Sequence, residues 1–266
     1  MKTTERTVIL NSRFRANRRD TSTNFNILLN KAVSVDDVDR IIVKRVSIPN
    51  LFFNVPARKN KLYLDYEGTP LILDLDPGQY DSEQFRAGLE NMLQGVDGTA
   101  TVSFNPATAK YTLNLVGPFI LGWTLLSHAD VKEQHGVDES LNDILGTSYD
   151  ETLPAAATWT SPNTADLSGE HTVRIESGKL AHANSFDSRG HIINTLDVVP
   201  ITEGYGSIVH YQPRDHILSF IDSGNIGRSM SNVDIQLVSN SGQPLDLPDN
   251  AYVEIVLLIL FRHTSF

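Results

Sequence analysis

The residues that could do chemistry in this chain are eight histidines and a few carboxylates, and their spacing favours no reaction centre. No two histidines stand at the His-x-His or His-Glu-x-x-His spacing that aims two imidazoles at one metal ion. The sequence also lacks the Gly-x-Ser-x-Gly turn of a serine nucleophile. Ligands could still converge from distant strands, at His128, His135, His171, His182, His191, His210, His216 and His263. The sequence therefore predicts no catalytic residue, no metal site and no cofactor, and we do not expect an enzyme.

Three short motifs could still bind a ligand, and each has a structural interpretation. Asp74 and Asp76 place two carboxylates on one side of a strand end, but the Pro-Gly turn behind them favours a solvated end over a cation site. Gly204-Tyr205-Gly206-Ser207 is followed by a strand, whereas a phosphate cradle needs a helix N-terminus. Arg13-Phe14-Arg15 offers a single aromatic ring, which is a poor platform for stacking bases.

Charge is distributed unevenly along the 266 residues. The first 20 residues carry six Lys and Arg against two acidic residues, a local +4, whereas the whole chain carries −10, so the remainder carries −14. An acidic body repels phosphate backbones, so nucleic acid could be bound only through the basic N-terminal segment. The absence of cysteine excludes disulfides and fits a reducing compartment. The N-terminal residues lack the apolar run of a secretory signal, so we do not expect secretion.

The elements that position these residues are mostly strands. Alternating or β-branched runs predict about twelve of them, from 7–10 and 24–30 at one end to 233–238 and 251–261 at the other. The last run is apolar on both faces, so we expect the final two strands to pair and the last to be central in a sheet. Hairpin-sized gaps without βαβ alternation predict an all-β, antiparallel sandwich.

Two helices and one long loop interrupt the strands. The first helix is predicted behind Asp81, with Gln84 completing a capping box and an apolar stripe from Phe85 to Leu93. The second is predicted over 138–145, with Asp138 as its cap. Residues 147–170 lack periodicity and are predicted to form the longest loop.

Residues 1–23 are predicted to form a basic N-terminal arm, ahead of a single domain over 24–266. Between residues 11 and 23 only Phe14 is a large apolar side chain, so this stretch cannot form a core of its own. We expect it to gain order on a neighbouring molecule. The predicted contact residues are Arg13, Phe14, Arg15, Arg18 and Arg19.

Four stretches, in matching order, resemble the penton (vertex) proteins of double-stranded DNA viruses with double-jelly-roll major capsid proteins. These viruses are virophages, Polinton-like viruses and nucleocytoplasmic large DNA viruses. The turn Gly78-Gln79-Tyr80 before the first helix is one of the shared motifs. The stretches are Leu10 to Arg15 with Thr21 to Phe25, Val43 to Phe53, Leu73 to Leu93, and Ile192 to Phe261. Residues 118–190 match no part of the resemblance and are interpreted as a loop-rich insertion.

The resemblance implies a single jelly roll of two four-stranded sheets that forms a homopentamer at the icosahedral fivefold vertices. Its partners would be its own copies, the double-jelly-roll major capsid protein, other minor capsid proteins and a host receptor. Its location would be the capsid vertex of the virion, after synthesis and assembly in the host cell.

Two other functions remain open. One is another minor capsid or cement protein with the same sandwich. The other is a carbohydrate-binding jelly roll for attachment, in which Trp159, with Trp123, would stack on sugar rings; the Trp159 ring could instead hold its own loop in place.

Overall fold

A computed structural model describes residues 3–17, 19–33, 38–121, 140–147, 155–180, 185–186, 192–213, 230–239 and 242–262. The chain forms two compact units. Met1–Phe52 and Glu170–Phe266 form the first, which we call the sandwich unit, and Phe53–Gly169 form the second, the inserted unit.

The described elements are mostly strands, in agreement with the sequence pattern. In chain order they are β1 (Thr3–Asn11), β2 (Asn24–Val33), β3 (Val38–Pro49), β4 (Lys61–Tyr66), β5 (Thr69–Asp74), α1 (Ser82–Gln94), β6 (Thr101–Asn105), β7 (Lys110–Leu121), α2 (Leu141–Ile144), β8 (Ala156–Thr160), β9 (Thr172–Glu176), β10 (Ser185–Phe186), β11 (Ile192–Ile193), β12 (Thr195–Pro200), β13 (Ile208–Tyr211), β14 (Met230–Val238) and β15 (Glu254–Arg262). A 3-10 turn over Ser12–Phe14 follows β1. Neither α-helix is long and apolar enough to cross a membrane, within the part of the chain that the structure describes.

The sandwich unit is built from two four-stranded antiparallel sheets. The first has the order β1-β15-β3-β13 and the second β12-β9-β14-β2. When the eight strands of these two sheets are numbered in chain order, leaving out the separate β10-β11 pair, the orders become 1-8-3-6 and 5-4-7-2, which is the arrangement of a single jelly roll. The predicted fold class, an antiparallel single jelly-roll sandwich with short helices, is confirmed.

Four connections lie at one end of the sandwich unit, which we call the loop end. Three of them are the β1–β2, β12–β13 and β14–β15 connections. The fourth is the connection from the end of β3 to the start of β9, which contains the inserted unit. The registers place them together, because Asn11 pairs with Glu254 and Pro49 pairs with Ile208. Asn50 ties two of these connections, since its N–H donates to the Ser207 carbonyl at 2.8 Å.

Strand β15 is central in the first sheet, paired with β1 on one side and β3 on the other, and it carries apolar residues on both faces. Ile255 and Ile259 point into the sandwich and are buried, whereas Leu258 on the opposite face is partly exposed. The prediction of a central last strand is confirmed. The prediction that the last two strands pair with each other is wrong, because β14 lies between β9 and β2 in the second sheet and β15 belongs to the first. A strand's own alternation does not identify its partner.

The core of the sandwich unit is made of the inward residues of both sheets. Phe25 and Leu237 come from the second sheet and meet Ile41, Ile48 and Leu10 of the first, all without exposed surface. Burial of these aliphatic and aromatic side chains is the main favourable term for this unit, at roughly 25 cal/mol per Å² removed from water.

The inserted unit has its own core, formed by helix α1 and a five-stranded sheet. The sheet runs β5-β4-β7-β6, and β8 pairs with β7. Helix α1 begins as predicted, because Asp81 Oδ1 accepts from the Gln84 N–H at 2.8 Å and Gln84 Oε1 accepts from the Asp81 N–H at 3.0 Å. Its apolar stripe, Phe85, Leu89 and Leu93, is fully buried in this core.

Helix α2 is shorter than predicted and begins after Ser140. The predicted cap, Asp138, lies outside the described residues. The Ser140 N–H donates to Asp143 Oδ2 at 2.7 Å, which fixes the first turn. Asn142 then pairs with the backbone of β4, because its side chain accepts from the Tyr63 N–H at 3.0 Å and donates to the Tyr63 carbonyl at 3.1 Å. A single amide side chain thus replaces a strand partner there.

Strand β8 was not predicted. It lies in the stretch 147–170, which the sequence pattern describes as a loop. Its sequence, AATWT, has one large apolar residue, Trp159, and no clear alternation. It becomes a strand by pairing with the edge of β7, where Trp159 lies opposite Leu113. Long-range pairing here outweighs a weak local signal.

The unit boundaries differ from the predicted domain organisation. The predicted single domain began at residue 24, with a possible insertion over 118–190, whereas the compact insertion spans Phe53–Gly169. The predicted arm also differs, since Thr3–Asn11 forms an edge strand paired with β15 along its whole length. The predictions placed β4 to β7 in the sandwich because alternation predicts a strand without predicting which sheet it joins.

Asn54 holds together the two ends of the inserted unit. Its side-chain NH₂ donates to the Leu167 carbonyl at 2.9 Å and to the Tyr80 carbonyl at 2.8 Å, and its side-chain oxygen accepts from the Tyr80 N–H at 2.9 Å. Asn54 is nearly fully buried, so these bonds offset its desolvation. The inserted unit therefore begins and ends at neighbouring points.

We expect Ile259→Ala to lower the free energy of unfolding by about 2–5 kcal/mol, because it removes buried volume from the central strand. Ile259 is 1% exposed. The matched control is Ile9→Ala on the neighbouring strand β1, where the side chain is 61% exposed and the expected cost is within about 0.5 kcal/mol. Urea unfolding followed by circular dichroism measures both. Equal losses would contradict the assignment of the two faces.

Candidate assembly surfaces

The groups that could do chemistry do not converge in the described part of the chain. No group of three or more His, Asp or Glu side chains there could hold a metal ion. Of the histidines, only His171 and His210 are described, and His210 Nδ1 lies 3.1 Å from the Ser47 hydroxyl. Asp74 is paired with Lys61 at 2.8 Å. The 204–207 loop is a connection between strands.

The segment after β1 is fixed at the loop end by its own hydrogen bonds. The Ser12 N–H donates to the Val253 carbonyl at 2.9 Å, and Ser12 Oγ accepts from the Val253 N–H at 2.9 Å. Further along, the Thr23 hydroxyl donates to the Leu245 carbonyl at 2.5 Å. Backbone pairing therefore orders this segment on the β14–β15 connection, although it contributes little apolar area.

The 3-10 turn in this segment presents an aromatic and basic surface. Phe14 is 71% exposed, and the Arg13 guanidinium lies over the Tyr252 ring at 5.8 Å. Arg15 approaches the carboxylate of Asp249 at 3.7 Å. We call Arg13, Phe14, Arg15 and Tyr252 the Phe14 patch.

The predicted contact residues thus fall into three groups. Arg13, Phe14 and Arg15 lie together in the patch, Arg19 is exposed in the same β1–β2 connection, and Arg18 lies outside the described residues. Sequence reasoning did not include Tyr252. Its distance along the chain from Phe14 hides the relation, and only the antiparallel register of β1 and β15 brings the two together.

Trp159 does not lie on an accessible loop. Its side chain is 8% exposed and is part of the core of the inserted unit. A sugar ring stacks on an aromatic face that is open to solvent, so the structure does not support the predicted ligand contact at Trp159. Trp123 lies outside the described residues.

The division into two units also divides the charge. The inserted unit contains six Lys and Arg against sixteen Asp and Glu, a net −10, and the sandwich unit contains sixteen of each, a net charge of zero. The acidic body predicted from the sequence is therefore the inserted unit alone. Exposed carboxylates at the start of α1, at Asp76, Asp81 and Glu83, are part of this charge.

Two carboxylates have pKa values that are shifted in opposite directions, each for a different reason. Burial raises the pKa of Asp197 on β12, whose carboxylate accepts from the Val198 N–H at 2.8 Å and from the Tyr211 hydroxyl of β13 at 3.4 Å. The Val116 N–H, at 2.6 Å, lowers the pKa of Asp97, and Thr99 adds two further donors. Both groups connect strands or turns, so we assign them structural roles.

We expect Asp197→Asn and Asp97→Asn to change stability with opposite pH dependence. The folded-state pKa of Asp197 is raised, so its favourable contribution is full below the unfolded value of about 3.9 and is lost as pH rises through the folded value. Asp197→Asn should therefore raise stability at pH 7 relative to wild type, with the gain shrinking toward pH 4.

The folded-state pKa of Asp97 is lowered, so its contribution is present above about pH 3.9 and is lost as pH falls through the folded value. Asp97→Asn should lower stability at pH 7, with the deficit shrinking in acid. Denaturant unfolding at a series of pH values measures both variants. Parallel pH profiles for the two would contradict the assignments.

Comparisons with known proteins give likenesses to solved structures but no sequence match. No family model matches the chain, and no curated protein sequence matches it. Among solved structures, the crystal structure of the selenomethionine-labelled mavirus penton protein is similar over 98% of this chain and 99% of that chain, at 11% sequence identity and a TM-score of 0.46.

Proposed function

We propose that this protein is a capsid vertex protein, five copies of which close the fivefold vertices of an icosahedral virion. The observation that carries the proposal is the complete 1-8-3-6 and 5-4-7-2 strand arrangement of a single jelly roll, a fold that viral capsid proteins use. Among capsid proteins with this fold, the sequence resemblance to penton proteins favours the vertex position. In this proposal the chain is a structural component and not an enzyme.

The stretches that carry the sequence resemblance support the proposal through their positions. One spans the end of β1 to the start of β2, one the end of β3, and one runs from β11 to β15. These stretches contribute strands to both sheets and residues to the loop end. The fourth, Leu73 to Leu93, contains the end of β5 and most of α1 in the inserted unit.

The charge distribution is compatible with a ring of identical copies. A closed fivefold ring needs a heterologous contact, in which two different surfaces of the same chain meet. The sandwich unit has a net charge of zero, so five sandwich units can approach without a net like-charge penalty. The partners in the shell would be the double-jelly-roll major capsid protein and other minor capsid proteins.

We expect the purified chain to form a particle of five protomers of 29.5 kDa each, because a closed ring uses every heterologous contact. Mass photometry or analytical ultracentrifugation over a range of protein and salt concentrations measures this. A trimer would support a cement protein instead. A chain that remains monomeric at every concentration would contradict the vertex assignment.

A second candidate function, attachment to a neutral glycan, is favoured by one face of the inserted unit. Strands β6, β7 and β8 present two rows of uncharged polar side chains. Within each row the residues lie directly opposite one another on neighbouring strands, and the rows are Thr101-Asn114-Thr158 and Ser103-Thr112-Thr160. In a unit of net charge −10 this face carries no carboxylate at these six positions. Hydroxyl and amide groups are the donors and acceptors that a polyhydroxylated ligand needs.

We expect Thr101→Glu with Thr160→Glu to abolish glycan binding at this face, because the two carboxylates would need desolvation under a neutral ligand. The control is Thr108→Glu, in the exposed turn beyond the face. A glycan array measures binding by the wild type and both variants. Absence of wild-type binding, or equal binding by both variants, would contradict this second function.

A further inference from the structure

We propose that the Phe14 patch of one copy binds the inserted unit of the neighbouring copy. The inference rests on the proposed assembly of several copies, and it names the two surfaces that meet. The patch is Arg13, Phe14, Arg15 and Tyr252, at the loop end of the sandwich unit. The occupant is the acidic unit Phe53–Gly169 of a second copy.

The patch is preorganised, so binding would order few additional groups. Ser12, two residues before Phe14, is fully buried and makes two hydrogen bonds with the Val253 backbone. The Arg13 N–H donates to Asn11 Oδ1 at 2.9 Å, which closes the 3-10 turn. A contact that is already rigid in the free protein avoids much of the conformational entropy lost on association.

The composition of the patch is that of a binding anchor. A phenylalanine that is 71% exposed contributes nothing to the core, and Tyr252 beside it is 43% exposed. Aromatic and arginine side chains are enriched in the centres of protein interfaces, where they supply most of the binding energy. Lysine, which is depleted from such centres, does not occur in the patch.

Charge complementarity identifies the occupant. The first 20 residues, which include Arg13, Arg15 and Arg19, carry +4. The inserted unit carries −10, and its exposed carboxylates include Asp76 and Glu83 near the start of α1. Opposite charge steers the two surfaces together, whereas two inserted units repel each other.

The pairing also satisfies the geometry of a closed ring. A contact between two different surfaces of one chain is heterologous, and such contacts generate rings when the rotation closes. A basic aromatic surface on one unit and an acidic surface on the other are the two halves of such a contact. Each copy would then bind one neighbour through its Phe14 patch and the other neighbour through its inserted unit, so that both surfaces are used in every copy.

The absence of cysteine permits a direct test, because a single introduced thiol is unique in the chain. Ala16→Cys, two residues beyond Phe14 and exposed beside the patch, is labelled with a maleimide-benzophenone reagent and photolysed in a mixture of ¹⁵N-labelled and unlabelled protein. Mass spectrometry then separates links between copies from links within one copy. We expect links between copies that end in residues 53–169. The control is Leu28→Cys, on a side chain that is 63% exposed in β2.

A charge reversal provides a second measurement that does not depend on the label. We expect Arg13→Glu to reduce the assembled fraction several-fold at low ionic strength, with the deficit shrinking in high salt, because exposed charges are screened there. The control, Lys44→Glu in β3, changes the net charge by the same amount outside the patch. An equal effect of the two variants would overturn the proposal.

The outcomes separate this inference from the proposed function. If five-copy particles form but the links from position 16 end only in residues 1–52 or 170–266, or stay within one copy, the vertex assignment stands and this contact is wrong. If the unlabelled wild-type chain stays monomeric at every concentration, both are wrong. Links between copies into 53–169, with normal assembly of the Leu28→Cys control, would support the contact.

Discussion

Strand β15 makes its backbone hydrogen bonds with two strands from the other end of the chain, and the rest of the sandwich unit depends on this pairing. It lies between β1 and β3, so the first sheet cannot be completed before the last residues have been added. The same register brings Val253 next to Ser12 and thereby positions Phe14. One long-range pairing therefore fixes both the closure of the fold and the shape of its exposed aromatic surface.

The local signals of the sequence were sufficient for most individual elements. Period-2 alternation predicted most of β2 and β14, and the Asp81–Gln84 capping box predicted the first residue of α1. These signals act over a few residues and survive in the fold, because the tertiary structure uses the same apolar faces. Strand β8 is the exception, since pairing with β7 and not its own pattern makes it a strand.

Long-range relations were beyond the sequence pattern. Alternation gave no indication that β14 and β15 belong to different sheets, or that β4 to β8 form a separate unit. The candidate surface shows the same limit. Arg13, Phe14 and Arg15 were identifiable as an unusual basic and aromatic run, whereas Tyr252 joins them only through the fold. The charge of each unit became countable once the boundaries at Phe53 and Gly169 were known.

The clasp made by Asn54 bears on how such a chain could have changed over time. Because this one side chain reaches both ends of the 53–169 segment, the two chain segments that enter and leave the inserted unit lie side by side. A short turn could join these two segments directly, or a different inserted domain could replace this one. In either case the eight strands of the two sandwich sheets would keep their positions. The connection between β3 and β9 is thus a place where the chain can exchange an inserted domain while the eight strands of the two sandwich sheets are preserved.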